Sequence, residues 1–147
     1  MEGIQEMLSR ENVQIVQSVS TWEEAVHVAV QPLVDGGFVE SRYIDAIIDG
    51  AKELGPYFVL CPDLALLHAR PEQGVLKRQI AVTVLREPVR FKPEGPDVRV
   101  LVTLAATDSD SHIEVIRRIA TLFGDPDNIT KVAEAETVDQ IYDLFVG

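Results

Sequence analysis

The chain has 147 residues, which suits a single domain with one hydrophobic core. It is 46% hydrophobic and 25% charged, so it does not fit a disordered, collagen-like or long coiled-coil protein. It has 13 basic and 24 acidic residues and a net charge of −11, which argues against general binding to nucleic acid or anionic membranes and is compatible with a basic protein partner.

The N-terminal part of the chain predicts a short helix, a strand and a longer helix. Apolar residues at helical spacing favour a first helix that ends near Arg10, and the partly alternating segment 13–19 indicates a short peripheral strand. Thr21 and Glu24 form a capping box, because the hydroxyl and the carboxylate can each satisfy a backbone N–H group at a helix start. The amphipathic helix that follows ends at the glycine pair 36–37.

The middle of the chain begins with a second amphipathic helix. This helix starts at about Ser41 and ends at Gly55 and Pro56. The apolar and aromatic run 57–60 then predicts a short strand. The segment 61–74 contains prolines and a glycine, so we interpret it as an irregular loop.

Two later segments, 79–85 and 98–106, are apolar and rich in β-branched residues on both faces. This pattern is typical of central strands that are covered by helices on two sides. The segment 86–96 between them has three prolines and alternating charge, so we expect an exposed connection there.

Three helices are predicted at the C-terminal end. The first begins with a capping box at Ser111, the second begins at Asp125 with Pro126 in the first helical position, and the third begins at Thr137. Helices that flank central strands predict one α/β domain over residues 1–147. Because helices and strands do not strictly alternate, a mixed sheet is favoured over an all-parallel one.

The sequence contains no glycine-rich nucleotide loop, zinc-protease motif, serine-hydrolase elbow or Cys-x-x-Cys pair. The remaining candidates for a catalytic role are therefore one cysteine and three histidines. A single cysteine, Cys61, excludes an intrachain disulfide, and the lack of a secretory leader pattern favours the cytoplasm. Its apolar neighbours favour a buried structural thiol over a nucleophile.

The three histidines differ in their surroundings. His27 lies off the apolar stripe of its helix and is expected on the surface. His68 follows an apolar run and precedes a proline, so we expect it at the edge of the sheet, where a neutral ring nitrogen can act as a nucleophile. From the pattern alone, a structural histidine closing the end of the sheet remains the favoured interpretation of His68. His112 falls in a predicted first helical turn, which suits either an anion site or a solvent-facing residue.

Three runs of the sequence carry a resemblance to one known family. They are the residues Tyr43–Gly50 (YIDAIIDG), Gly55–Leu60 (GPYFVL) and Ala65–Val75 (ALLHARPEQGV). The runs resemble enzyme IIA of the bacterial phosphoenolpyruvate-dependent sugar phosphotransferase system, in its mannitol/fructose branch, and look most like the ascorbate-type members. The resemblance extends over nearly the whole chain, since Ala105–Thr107 followed by His112 and a helix also fits the family layout.

The resemblance implies a phosphocarrier with a three-layer α/β/α sandwich and a mixed central sheet. His68 matches the histidine that accepts a phosphoryl group from the carrier protein HPr and passes it to a cysteine of a IIB component. His112 matches a histidine that helps to bind the phosphoryl group. The resemblance also implies an indirect link to a membrane IIC permease and to uptake of ascorbate or a related sugar acid. No metal or cofactor is expected, because the phosphohistidine donor is already activated, and either a monomer or a homodimer would fit.

Three positions depart from the family pattern. Members of the mannitol branch carry an arginine where Gly50 stands, the residue before the active histidine is commonly proline where this chain has Leu67, and Asp63 occupies a place where a glycine is more usual. Arg70 is a substitute cation in our hypothesis because it lies close to His68. We expect the backbone N–H groups of Ala69 and Arg70, together with His112, to stabilise the phosphoryl oxygens.

Three other functions stay open from the sequence. A regulatory module of the same family would be phosphorylated on His68 but would act by binding proteins. A metal-dependent hydrolase would use His68 and His112 and would contain bound metal, although no acidic ligand stands at a suitable spacing. A non-catalytic interaction domain would accept no phosphoryl group from any donor.

Overall fold

The computed structural model describes residues 7–55, 59–92 and 95–146, apart from the side chains of residues 109–112 and 114. Within these residues, a five-stranded mixed sheet is the middle layer and helices pack on both of its faces. The elements in chain order are β1 (Leu8–Val16), α1 (Trp22–Asp35), α2 (Arg42–Leu54), β2 (Val59–Cys61), β3 (Asp63–Leu67), a 3₁₀ turn (Pro71–Gln73), β4 (Gln79–Arg90), β5 (Asp97–Ala105), α3 (Ser109–Phe123), α4 (Pro126–Ala133) and α5 (Val138–Val146).

The strand order of the sheet is β1-β4-β5-β3-β2. β1 pairs with β4 and β3 pairs with β5 in parallel, whereas the pairs β4–β5 and β2–β3 are antiparallel. Leu67 at the end of β3 is in register with Thr103 near the end of β5. The carboxyl ends of these two parallel strands therefore lie side by side at one edge of the sheet.

The two faces of the sheet carry separate hydrophobic clusters. Along β5, Val102 and Leu104 pack towards α3, α4 and α5, whereas Leu101 and Ala105 pack towards α1 and α2. Inner strands are apolar on both faces because helices cover both. This arrangement confirms the three-layer α/β/α sandwich with a mixed sheet.

The segment 61–74 is the predicted irregular loop or turn only in the part that follows Leu67. Its residues Asp63–Leu67 form β3, an inner strand that lies between β5 and β2. Pro62 stands between β2 and β3, where a proline removes no hydrogen bond from the inner strand. The four buried residues 64–67 show why the strand forms, since both of its faces are covered.

Two other boundaries differ from those predicted. Residues 8–10 belong to β1 and not to a helix, because Leu8 pairs in parallel with Ile80 of β4, ahead of a register shift before Val13, and this pairing outweighs the local helical spacing. The predicted strand 13–19 is correct in kind and in its position at an edge of the sheet, but β1 is longer towards its N-terminus. β4 continues to Arg90, through a register shift near Pro88, so the first part of the connection 86–96 is strand.

The helix starts follow the predicted side chains, with one exception. Thr21 Oγ1 accepts a hydrogen bond from the Glu24 backbone at 3.1 Å. The Asp125 carboxylate caps α4 in the same way, and Thr137 Oγ1 accepts from the Gln140 backbone at the start of α5. Helix α3 begins at Ser109, so Ser111 lies inside its first turn and is not the N-cap. The predicted strand 57–60 corresponds to β2, and residues 56–58 lie outside the described residues.

Asp63 begins β3 in a left-handed conformation with φ of 72°. Its carboxylate accepts hydrogen bonds from Arg99 Nε at 3.0 Å and Nη2 at 2.9 Å, and the two side chains are only 26% and 25% exposed. These bonds to Asp63 raise the pKa of the Arg99 guanidinium, against the opposing effect of its burial. The ion pair thus stabilises a left-handed backbone conformation that residues with a Cβ atom disfavour.

We expect Asp63→Ala to lower the free energy of unfolding by about 2 kcal/mol, because it removes a bidentate charged bond and keeps a side chain at positive φ. Asp63→Gly loses the same bond but relieves the backbone, so it is expected to be about 1 kcal/mol less destabilising. Urea titrations followed by circular dichroism measure the difference. Asp97→Ala, which removes an exposed pair with Arg90, is the control. Equal effects of alanine and glycine at position 63 would contradict the role of backbone strain.

Candidate active site

His68 stands immediately after β3, at the edge of the sheet where β3 and β5 end together. It lines an open cleft of about 850 Å³, together with the end of β5, the residues that flank the start of α3 and the C-terminal half of α2. The side chain is half-buried. The sheet therefore presents this histidine at the surface on a backbone that an inner strand holds in place.

The hydrogen bond of the His68 ring fixes its tautomer. Nδ1 lies 2.9 Å from the carbonyl oxygen of Leu66. A carbonyl oxygen can only accept, so Nδ1 carries the hydrogen, and in the neutral ring the lone pair then lies on Nε2. Nε2 is therefore the nucleophilic atom of this imidazole.

The two amides after His68 have partners inside the chain. The Ala69 N–H donates to the Tyr43 hydroxyl at 3.0 Å, and the Arg70 N–H donates to Gln73 Oε1 at 2.9 Å. The sequence-based expectation assigned both N–H groups to phosphoryl oxygens. A phosphoryl group would have to displace these partners or use other donors.

The Arg70 guanidinium lies at the same cleft. It is 74% exposed and its Nε is 3.3 Å from a carboxylate oxygen of Glu72. An exposed pair of this kind contributes little energy, so the guanidinium can change partners at small cost. Gly50 of α2 lines the same cleft, so the position that lacks an arginine and the proposed substitute share one space.

His112 belongs to the first turn of α3, as predicted, although that helix begins two residues before the predicted cap. Its side chain lies outside the described residues. Asp108 and Ile113, on either side of this turn, both line the cleft with His68. The backbone thus brings to the cleft the first turn of α3, whose N–H groups have no partner within the helix.

Several cleft residues carry no motif and were not singled out from the sequence. Among the described residues, acidic side chains line the cleft at Asp49, Glu53 and Asp108, and the apolar side chains of Leu54 and Ile113 are exposed there. The helical spacing of α2 could have indicated that its residues 49 and 53 share a face. Nothing in the sequence connects that face with a histidine at the end of another element.

The remaining candidate side chains lie away from this cleft. Cys61 does not line it and is half-buried rather than fully buried. Burial, and secondly the Asp63 carboxylate, raise the pKa of its thiol, which keeps it protonated and weakly nucleophilic near neutral pH. His27 is exposed on α1, as predicted.

Among the described residues, no group of three or more His, Cys, Asp or Glu side chains is arranged to hold a metal ion. In the same part of the chain, no helix is both long enough and apolar enough to cross a membrane.

Comparison with known proteins gives consistent matches. The family model for the phosphoenolpyruvate-dependent sugar phosphotransferase system, EIIA 2, matches residues 6–146. The ascorbate-specific PTS system EIIA component of Salmonella typhimurium is 40% identical over 136 residues, which cover 91% of this chain and 88% of that protein.

Solved structures match to the same extent. The mannitol-specific cryptic phosphotransferase enzyme IIA CmtB of Escherichia coli superposes with a TM-score of 0.90 at 30% identity, covering 97% of each chain. The E. coli enzyme IIA for mannitol, solved in complex with phosphorylated enzyme IIB, gives a TM-score of 0.83 at 31% identity and covers 95% of this chain and 97% of its own.

The structure defines an α/β sandwich protein with a half-buried histidine at an open cleft, at the end of an inner strand. The chain belongs to the EIIA 2 family of the phosphoenolpyruvate-dependent sugar phosphotransferase system, and it is a phosphotransferase component of that system.

Proposed function

We propose that His68 accepts a phosphoryl group from phosphorylated HPr on Nε2 and passes it to a cysteine of a IIB component. The observation that carries this proposal is the hydrogen bond of Nδ1 to the Leu66 carbonyl, because it leaves the lone pair on Nε2 in a ring at an open cleft. The complex of the related E. coli mannitol enzyme with phosphorylated IIB supports a IIB component as the acceptor.

In each transfer, the bonds formed and broken balance without a metal or a cofactor. The Nε2 lone pair forms a bond to the phosphorus of the donor phosphohistidine while the donor N–P bond breaks, and its electron pair returns to the donor ring. The His68 ring gains positive charge, which the Leu66 carbonyl stabilises through the Nδ1 hydrogen. A cysteine thiolate then attacks the phosphorus, and the electron pair of the breaking bond returns to Nε2.

The phosphoryl oxygens need donors that the first amides after His68 do not supply without rearrangement. The Arg70 guanidinium can leave Glu72 and donate to them. His112 and the backbone of the first turn of α3 are proposed as the second group of donors, because that turn lies at the cleft. The Ala69 N–H would contribute only by leaving Tyr43.

Ascorbate or a related sugar acid is the proposed transported substrate. The Salmonella relative is ascorbate-specific by name, and it matches over 91% of this chain. In the proposed sequence the sugar acid is phosphorylated later, at a membrane IIC permease, so this cleft never binds it. The proposed place of both transfers, from HPr to His68 and from His68 to the IIB component, is the cytoplasm.

Intact-protein mass spectrometry tests the function directly. The protein is incubated with phosphoenolpyruvate, enzyme I and HPr, and a control IIA of known activity is treated in parallel. A gain of one acid-labile phosphoryl group, followed by its loss to an added IIB component, is the expected result. Uptake without transfer to IIB would support the regulatory alternative, and no uptake beside a working control would refute the phosphocarrier.

Arg70→Ala is expected to slow phosphoryl uptake about tenfold, because one charged donor to the developing negative charge is lost. Arg70→Lys should recover part of the rate, since it restores charge without the planar fork. Rapid-quench measurement of uptake from phosphorylated HPr gives the rates. The control is Arg10→Ala, which removes another exposed, carboxylate-paired arginine from edge strand β1. If both alanine variants slowed uptake equally, the loss would reflect net charge and not a phosphoryl contact.

A further inference from the structure

The Tyr43 hydroxyl joins three elements directly behind His68. Tyr43 lies in the first turn of α2 and its exposure is 0%. Its hydroxyl accepts a hydrogen bond from the Ala69 N–H at 3.0 Å and donates to the Leu104 carbonyl at 2.8 Å. The Ala69 carbonyl lies 3.2 Å away as an alternative acceptor. One buried hydroxyl therefore connects α2, the end of β5 and the residue that follows His68.

These bonds act on the backbone of the histidine itself. The Ala69 N–H belongs to the peptide group that joins His68 to Ala69, so holding it fixes the ψ angle of His68. Leu104 is one residue from the end of β5 and lines the cleft. The ring's own bond to Leu66 sets its rotation, and the hydroxyl sets the direction of the backbone that carries it. Together they fix where Nε2 lies in the cleft.

A second observation shows how closely the turn after His68 packs on this tyrosine. Gly74 has φ of 139°, and a Cβ atom added to it would lie 3.2 Å from Tyr43 Cβ. The Gly74 carbonyl accepts from the Glu40 backbone at 2.8 Å, and Arg42 Nη2 donates to the Glu72 carbonyl at 3.1 Å. The turn is thus anchored to the start of α2, with Tyr43 as its buried support.

We propose that Tyr43 is a positioning residue for phosphoryl transfer, which orients the His68 imidazole through the Ala69 peptide. This inference rests on the proposed function of His68 as the phosphoryl acceptor. Tyr43 does not touch the phosphoryl group in this arrangement. It limits the directions in which Nε2 can point, and in-line transfer requires that direction to be kept within narrow limits.

The test compares Tyr43→Phe with Tyr142→Phe. The first removes the buried hydroxyl and keeps the ring, and the second removes a phenol hydroxyl from α5, where the ring packs under Arg10. We expect Tyr43→Phe to lower the uptake rate at saturating phosphorylated HPr about 10- to 100-fold, with the half-saturating donor concentration unchanged. Tyr142→Phe should behave as the wild type does. A rate for Tyr43→Phe equal to that of the wild type would overturn the inference.

NMR of the unphosphorylated protein provides a measurement that needs no donor. Long-range ¹H–¹⁵N correlations of the His68 ring should give one sharp set of signals in the wild type and in Tyr142→Phe, and shifted or broadened signals in Tyr43→Phe, because the peptide that carries the ring is no longer held. An unchanged ring spectrum in Tyr43→Phe would overturn the positioning role. Failure of the wild type to accept a phosphoryl group would refute the proposed function, while this spectrum would still decide the structural claim.

Amide exchange in the wild type covers the case in which Tyr43→Phe fails to fold. The buried hydroxyl bonds the Ala69 N–H and the Leu104 carbonyl, so its removal leaves polar groups unsatisfied and destabilises the chain. The Ala69 amide of the wild type is expected to exchange slowly, as a bonded amide does. Exchange at the rate of an exposed turn would show that the bond is absent and would overturn the inference.

Discussion

Replacing His68 with alanine is expected to abolish phosphoryl uptake and to leave the fold intact. The substitution removes Nε2, for which no other atom of the turn can substitute as a nucleophile. The fold tolerates the loss because the ring is half-buried at an open cleft, so water can take over the bond to the Leu66 carbonyl. Mass spectrometry after incubation with the donor proteins measures the uptake, and thermal melting by circular dichroism measures the fold.

His27→Ala is the matched control for this variant. It removes an exposed imidazole from α1 and should leave uptake unchanged. An acid-labile phosphoryl group on His68→Ala would refute the assignment and would direct attention to His112. Loss of uptake in both variants would point to a general effect on donor binding and not to the chemistry of one ring.

Leu101→Ala is expected to lower the free energy of unfolding by about 2–5 kcal/mol. Leu101 is fully buried on inner strand β5, in register with Ala65 of β3 and Thr83 of β4. Its neighbours on both sides are paired strands, so the sheet cannot collapse into the cavity that the substitution leaves. Urea unfolding of the variant and the wild type at one temperature measures the change.

Leu76→Ala provides the matched comparison, because it removes the same atoms from a side chain that is 55% exposed. It should change the free energy of unfolding by less than about 0.5 kcal/mol. Comparable losses in the two variants would mean that β5 is not the rigid centre of the sheet. Folded Leu101→Ala should still accept a phosphoryl group, since Leu101 packs towards α1 and α2, within the core and not at the cleft.

The helices were predictable because their signals are local. Thr21 and Asp125 cap the helices that their positions indicate, and the bonds involved span two or three residues. Strand β3 was missed because Pro62 and Pro71 on either side gave a strong local signal for a loop, whereas the stabilising partner, β5, follows about thirty residues later. Pairing with a strand so far along the chain produces no recognisable pattern in the sequence of β3 itself.

The residues of the candidate site likewise fall into those that the sequence reveals and those that it does not. The resemblance singles out His68 and His112, since their neighbours in sequence form a motif. Tyr43 was not predicted because it reads as one more apolar position on the buried face of α2. The partners of its hydroxyl are backbone groups 26 and 61 residues away, and backbone groups have no side-chain identity by which a sequence could reveal them.

The carboxylates that line the cleft bear on how long a phosphoryl group would stay there. In the proposed mechanism, phospho-His68 places about two negative charges near Asp49, Glu53 and Asp108. Like charges in a partly enclosed space repel, so the loaded state lies at higher free energy than it would in a cationic pocket. A phosphocarrier has to release its phosphoryl group as readily as it accepts it. These three carboxylates limit how stable the phosphorylated intermediate is. Added salt screens their repulsion and should therefore make phospho-His68 longer-lived.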